Sequence, residues 1–146
     1  MDNLEQILTK YNWPQRTESA LTTIEEIEDF IKSKLPHDYV SFLRKYMGSE
    51  GFIGQEYVVL WNIDELIEFN KTYCIPDNLP QTLGIGGNGA SEFIAIELVN
   101  NKYRIVLSPF IDLDEQYHIE IGTSFIDFIL RLDNGENWFN EILQTK

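Results

Sequence analysis

The chain has one cysteine, Cys74, two histidines, His37 and His118, and 11 lysines and arginines against 24 aspartates and glutamates. A single cysteine excludes an intrachain disulfide and any zinc site built on several thiolates, and it fits a reducing compartment. Neither histidine stands in a metal-binding spacing such as HExxH or near a second cysteine, so the sequence predicts no metal ligand and no cofactor. His37 is expected in the first turn of a helix and His118 in a strand, each solvated or hydrogen-bonded. No apolar run is longer than residues 57–61, and the N-terminus lacks the basic start and apolar stretch of a signal peptide. The expectation is a cytoplasmic chain without membrane span, in which the sequon Asn70-Lys71-Thr72 carries no glycan. The shortage of positive charge gives a net charge of -13 and a sequence pI near 4.4. Nucleic acid and anionic membranes would repel such a chain, and a basic protein partner is favoured.

What is present is enough for a core. Over 146 residues, 43% are hydrophobic and 13% aromatic, the composition of a packed protein, and the acid excess must then lie on the surface. A chain of this length fits one domain, residues 1–146, burying roughly two-thirds of the surface its unfolded form exposes.

The sequence predicts its best-defined helix over residues 36–47. Pro36 has φ preset for a first turn, Gly48 is positioned to close the helix in the left-handed conformation, and Tyr39, Val40, Phe42, Leu43, Tyr46 and Met47 share one face. Leu4, Ile7, Leu8 and Tyr11 predict a short first helix that Trp13-Pro14 interrupts. Thr22 and Thr23, followed by Glu25 and Glu26, offer overlapping capping boxes for a second helix striped by Ile24, Ile27, Phe30 and Ile31. After a glycine-containing loop (Gly48, Gly51, Gly54), residues 56–61 read as a strand and 64–73 as a helix, with Pro76 and Pro80 marking a loop. Residues 91–98 and 103–108 read as a hairpin turning at Asn100-Asn101, and 117–121 as a further strand ended by Gly122. Thr123 or Ser124 caps a last helix carrying Phe125, Ile126, Phe128, Ile129 and Leu132, and Trp138 and Phe139 are expected to pack back. Helices first, strands in the middle and a closing helix describe an α+β fold with a central antiparallel sheet flanked by helices.

Motifs that could carry catalysis do not complete themselves. Gly84, Gly86 and Gly89 satisfy GxGxxG, but a strand pattern follows where a dinucleotide site needs a helix, so the glycines read as a tight turn. There is no Gly-x-Ser-x-Gly elbow, and Cys74 reads as a small core residue. Asp112, Asp114 and Glu115 resemble the start of a calcium loop, but Tyr117 and Thr123 stand where that loop needs glycine and glutamate. Paired carboxylates arise by chance among so many acids. The catalytic set is empty.

The residues Leu35-Pro36, Tyr39, Phe42-Leu43 and Tyr46, spaced Leu-Pro-x-x-Tyr-x-x-Phe-Leu-x-x-Tyr, resemble the signature of the SUKH superfamily, bacterial immunity proteins related to a yeast regulator of cell-wall synthesis. The acidic helix before it, the glycine-rich residues 84–89 entering the strand at 92–96, and Ser124-Phe125-Ile126-Asp127-Phe128-Ile129 follow in the family's order, and the resemblance is strongest over residues 23–132. This chain has Met47-Gly48-Ser49 where the family often has Asn-Gly-Gly, and Ala90-Ser91-Glu92 where it often has an Asp. The resemblance implies a SUKH-like, non-enzymatic immunity protein that neutralises a cognate toxin, often a nuclease, by covering its active cleft. The alternative it implies is a regulatory or scaffolding adaptor. Charge adds candidates for the contact: Asp112, Asp114 and Glu115, which no apolar pattern requires, and then Glu50, Glu56 and Glu92 beside glycine-containing turns.

Overall fold

The structure, a computed structural model, describes residues 3–99 and 101–139. Three helices lead the chain: α1 (Asn3–Lys10), α2 (Ile24–Ile31) and α3 (His37–Lys45). Thr23 caps α2 in a complete capping box with Glu26, as the sequence predicts, and Lys32 closes it at φ 59°. Pro36 is the N-cap of α3, whose Tyr39, Phe42 and Leu43 are buried. That helix ends differently from expectation. Tyr46 terminates it in extended conformation, joined by a bridge to Gln15, and Gly48 does not take a positive φ. Gly48 is there for close approach, since a Cβ on it would lie 2.3 Å from the Asn62 nitrogen.

A six-stranded antiparallel sheet follows in the order β1 (Ser49–Ile53), β2 (Glu56–Leu60), β3 (Thr82–Gly87), β4 (Glu92–Val99), β5 (Lys102–Pro109) and β6 (Ile119–Gly122). The segment with Gly51, read from sequence as a loop, is therefore an edge strand, and only Gly54, at φ 63°, makes the turn. The second departure is larger. Gly84, Gly86 and Gly87 lie within β3 rather than in a turn, because the backbones crowd there: a Cβ on Gly86 would stand 1.9 Å from the Val59 carbonyl oxygen. Side chains alternate across a sheet, so the unbroken burial of residues 82–87 and 93–97 means that both faces are covered.

Between β2 and β3 the chain forms a 3-10 turn (Ile63–Glu65), α4 (Leu66–Thr72) and α5 (Ile75–Asn78), so Pro76 sits in a short helix and not in a loop. Cys74 is exposed and left-handed, at φ 56°, between those helices, which corrects its reading as a core residue. Asn101, at φ 63°, turns the β4–β5 hairpin. Ser124 caps α6 (Phe125–Asp133) by accepting the Asp127 N–H at 3.0 Å. Tyr39, Phe42 and Phe125 meet with ring centroids 5.1 to 6.2 Å apart, the centre of the core. Trp138 packs back on Phe128, and its backbone N–H donates to Glu56. Residues 140–146 lie outside the described residues.

Candidate functional site

Residues 110–118 join β5 to β6, and both ends of this loop are anchored. At the first, Phe110 donates its N–H to the Ser91 carbonyl at 3.0 Å and sets its ring against Phe93 and Tyr73, at 5.1 and 4.7 Å between centroids. At the second, the His118 side chain is buried and donates from Nδ1 to Glu97 on β4. His118 caps a 3-10 turn (Glu115–Tyr117) instead of lying in a strand, so the strand begins at Ile119, later than predicted. Asp114 starts that turn by accepting the Gln116 N–H at 3.1 Å and its side-chain amide at 3.0 Å, bonds that hold the Asp114 carboxyl below the usual range.

Glu97 is the electrostatic anchor, buried to 3% exposure within an otherwise apolar run. It faces Arg104 in the β4–β5 register, and Arg104 Nε donates to it at 2.6 Å. Burial works against the Glu97 charge, but hydrogen bonds from Arg104 and His118 outweigh it and hold the carboxyl below its ordinary value. Arg104 continues to Glu120, which also pairs with Arg131, so β4, β5, β6 and α6 share one charge network.

Between its anchors the loop exposes Ile111 at 89% and Tyr117 at 47%, together with Asp112, Asp114 and Glu115. A cavity of about 340 Å³ beside it is lined by Asn78, Ile111, Asp112, Leu113, Asp114 and Tyr117. A second, of about 290 Å³, is lined by Leu79, Pro80, Gln81, Thr82, Glu97 and Glu115. Every charged residue in the two linings is acidic, and no lysine or arginine occurs between Arg104 and Arg131. Such a surface can receive cationic side chains flanked by apolar ones.

The six candidate acids do not form one cluster. Glu92 pairs with Pro109 in the sheet register, at the base of the loop, and its carboxylate accepts the Asn88 amide at 2.8 Å. Glu50 and Glu56 belong to the β1–β2 hairpin at the opposite end of the strand order. Glu50 is exposed and bonds Tyr57, whereas Glu56 is half-buried under the Trp138 N–H at 2.6 Å. Sequence reasoning missed Ile111 and Tyr117, which no periodicity marks as exposed. It also missed Glu97, although an acid in an apolar strand run opposite an arginine is a readable signal. His37 is exposed on α3, and among the described residues no group of His, Cys, Asp and Glu is arranged to hold a metal ion. None of the described helices is long and apolar enough to cross a membrane.

None of the curated proteins matches the chain significantly. The model of the SMI1 / KNR4 family (SUKH-1) matches residues 20–131, from just before α2 to near the end of α6. That span takes in every strand, the Leu35 to Tyr46 signature and the loop between β5 and β6, and the chain belongs to the SMI1 / KNR4 family.

Proposed function

We propose that this protein is an immunity protein that binds a cognate bacterial toxin, a nuclease by preference, and neutralises it by covering the active cleft without any catalysis of its own. Family membership supports the class, and one structural observation carries the mechanism. The loop at residues 110–118 is anchored at Phe110 and His118 while presenting Ile111, Tyr117, Asp112, Asp114 and Glu115 outward with no cation among them. A nuclease cleft is basic because it binds phosphates, so it attracts such a surface. The exposed apolar side chains would then supply short-range contact after charge has steered the encounter. Glu50, Glu56 and Glu92 form the second, comparison set.

The test is growth protection. A toxin domain encoded beside this chain is expressed in a sensitive cell with the wild-type chain or with a loop variant carrying Asp112→Asn, Asp114→Asn, Glu115→Gln and Ile111→Ser. Wild type should protect and the folded loop variant should not. A wild-type chain that gives no protection, yet captures several unrelated host proteins, would replace this reading with that of an adaptor.

A further inference from the structure

Among the described residues, one groove on this acidic molecule gathers basic side chains with no carboxylate in its lining. This groove, of about 670 Å³, runs between the α2–α3 connection, the loop before β3 and the β4–β5 hairpin. Its rim carries Lys32, Lys34 and Lys102, three of the chain's 11 basic residues, and its lining contains no carboxylate. Another wide groove, of about 620 Å³, mixes Arg16, Arg44 and Lys45 with Glu18 and Glu25.

Two carboxylates, Glu28 and Asp38, stand beside the groove without entering its lining. Glu28 accepts the Leu35 N–H at 2.9 Å with one oxygen and forms an ion pair with Lys34 at 3.6 Å with the other, leaving the Lys34 side chain 91% exposed. Asp38 accepts the N–H of Ile126, the N–H of Tyr39 and the Tyr103 hydroxyl. Among the described residues, Lys32 and Lys102 form no ion pair. Lys32 and Lys34 also complement the negative end of α2, but Lys102 sits on a hairpin and has no helix end to serve. Beneath them the lining is Ile31, Leu35, Pro36, Pro80, Leu98 and the Tyr103 ring, with the amides of Gln81 and Asn101 beside it.

We propose that this groove is a binding site for an organic phosphate, the dianion held by Lys32, Lys34 and Lys102 and its carbon skeleton laid on the wall around Pro36 and Tyr103. Lysines hold phosphate as point charges, and three of them around one groove suit a dianion. The volume falls in the range of small-ligand pockets, roughly 300–1,000 Å³. The site does not depend on the proposed toxin binding, and its test needs no toxin.

The probe is phenyl phosphate, titrated into the full chain and followed by backbone amide NMR, with phenol and inorganic phosphate as separate arms. The expected result is saturable movement of the Lys34, Asn101 and Tyr103 amides, half-complete near or below about 1 mM, with phenol inactive and inorganic phosphate weaker. Lys32→Gln, Lys34→Gln and Lys102→Gln together should weaken binding at least tenfold, about 1.4 kcal/mol, with the thermal midpoint unchanged. Lys102→Gln alone should weaken it measurably. Failure to saturate, shifts located elsewhere, or equal affinity in the triple variant would overturn the site, and inorganic phosphate binding as tightly as phenyl phosphate would overturn the organic ligand.

Discussion

Asn70 and Gly84 exchange two hydrogen bonds as paired strand residues do: the Gly84 N–H donates to Asn70 Oδ1 at 2.8 Å, and Asn70 Nδ2 donates to the Gly84 carbonyl at 2.9 Å. The β3–β4 register shifts at Gly84–Gly86, and β2 pairs with β3 only at Gly86 and Gly87. A fully buried side chain on α4 thus completes the sheet where a strand is missing, and its remaining amide hydrogen serves the Leu66 carbonyl at 2.8 Å.

Asn70→Leu should therefore cost more than its change in polarity suggests. It keeps the volume but leaves both Gly84 backbone groups buried and unpaired, at about 1–3 kcal/mol each. A fall in the urea midpoint corresponding to several kcal/mol is expected, and an unchanged midpoint would contradict the role given to Asn70.

Tyr39 separates burial from hydrogen bonding. Its ring fills the core between Phe42 and Phe125, but its hydroxyl has no hydrogen-bond partner among the described residues, and burial pushes that hydroxyl's pKa well up. Tyr39→Ala and Leu43→Ala should each destabilise the fold by roughly 2–5 kcal/mol through lost burial and a residual cavity. Tyr39→Phe should leave stability unchanged or slightly raised, since it removes an unsatisfied polar group. Chemical denaturation of the three variants checks both halves of this expectation.

The glycines of β3 and β1 make opposite predictions. Gly86→Ala drives a Cβ into the Val59 carbonyl and should destabilise by about 1–3 kcal/mol or more as the β2–β3 pairing shifts. At Gly51 an added Cβ meets nothing within 4 Å, so Gly51→Ala should be tolerated. Equal melting temperatures for the two variants would contradict the crowding.

Glu97 gives the pH dependence. Its folded pKa lies below its ordinary value of 4.5, so the unfolded state binds the proton more readily. The stability it contributes is fully present above that value and is lost as pH falls through the lower folded pKa. Wild type should lose stability steeply below about pH 4.5, with release of the loop at residues 110–118, and Glu97→Gln should be less stable at pH 7 with a shallower acid slope. Urea midpoints at several pH values between neutral and acid read this directly.

Much of this fold was legible where sequence pattern and burial coincide. Thr23-x-x-Glu26, the apolar face of Tyr39, Phe42, Leu43 and Tyr46, and Ser124 before Phe125 each state a local rule that the tertiary structure obeys. Gly84 and Gly86 misled because glycine marks both turns and close backbone approach, and only the position of Val59 tells them apart. Gly51 hid an edge strand because a glycine there reads as a loop, although nothing crowds it. In the candidate site, charge singled out Asp112, Asp114 and Glu115, but the anchors at Phe110 and His118 depend on Ser91, Tyr73 and Glu97, partners 19 to 37 residues away in sequence. Tertiary contacts of that kind leave no local pattern.

The most direct measurement is the association rate of this protein with the basic nuclease toxin proposed as its partner, taken at low and high salt for wild type and for the Asp112→Asn, Asp114→Asn, Glu115→Gln variant. The account predicts a stable complex whose wild-type association at low salt exceeds the unsteered range of about 10⁵–10⁶ M⁻¹s⁻¹ and slows as salt is added. The variant should associate more slowly and respond less to salt, while changes at Glu50, Glu56 and Glu92 have the smaller effect. Failure to form a complex would contradict neutralisation by binding, and an association rate indifferent to salt and to the loop acids would contradict the charged surface at residues 110–118 as its basis.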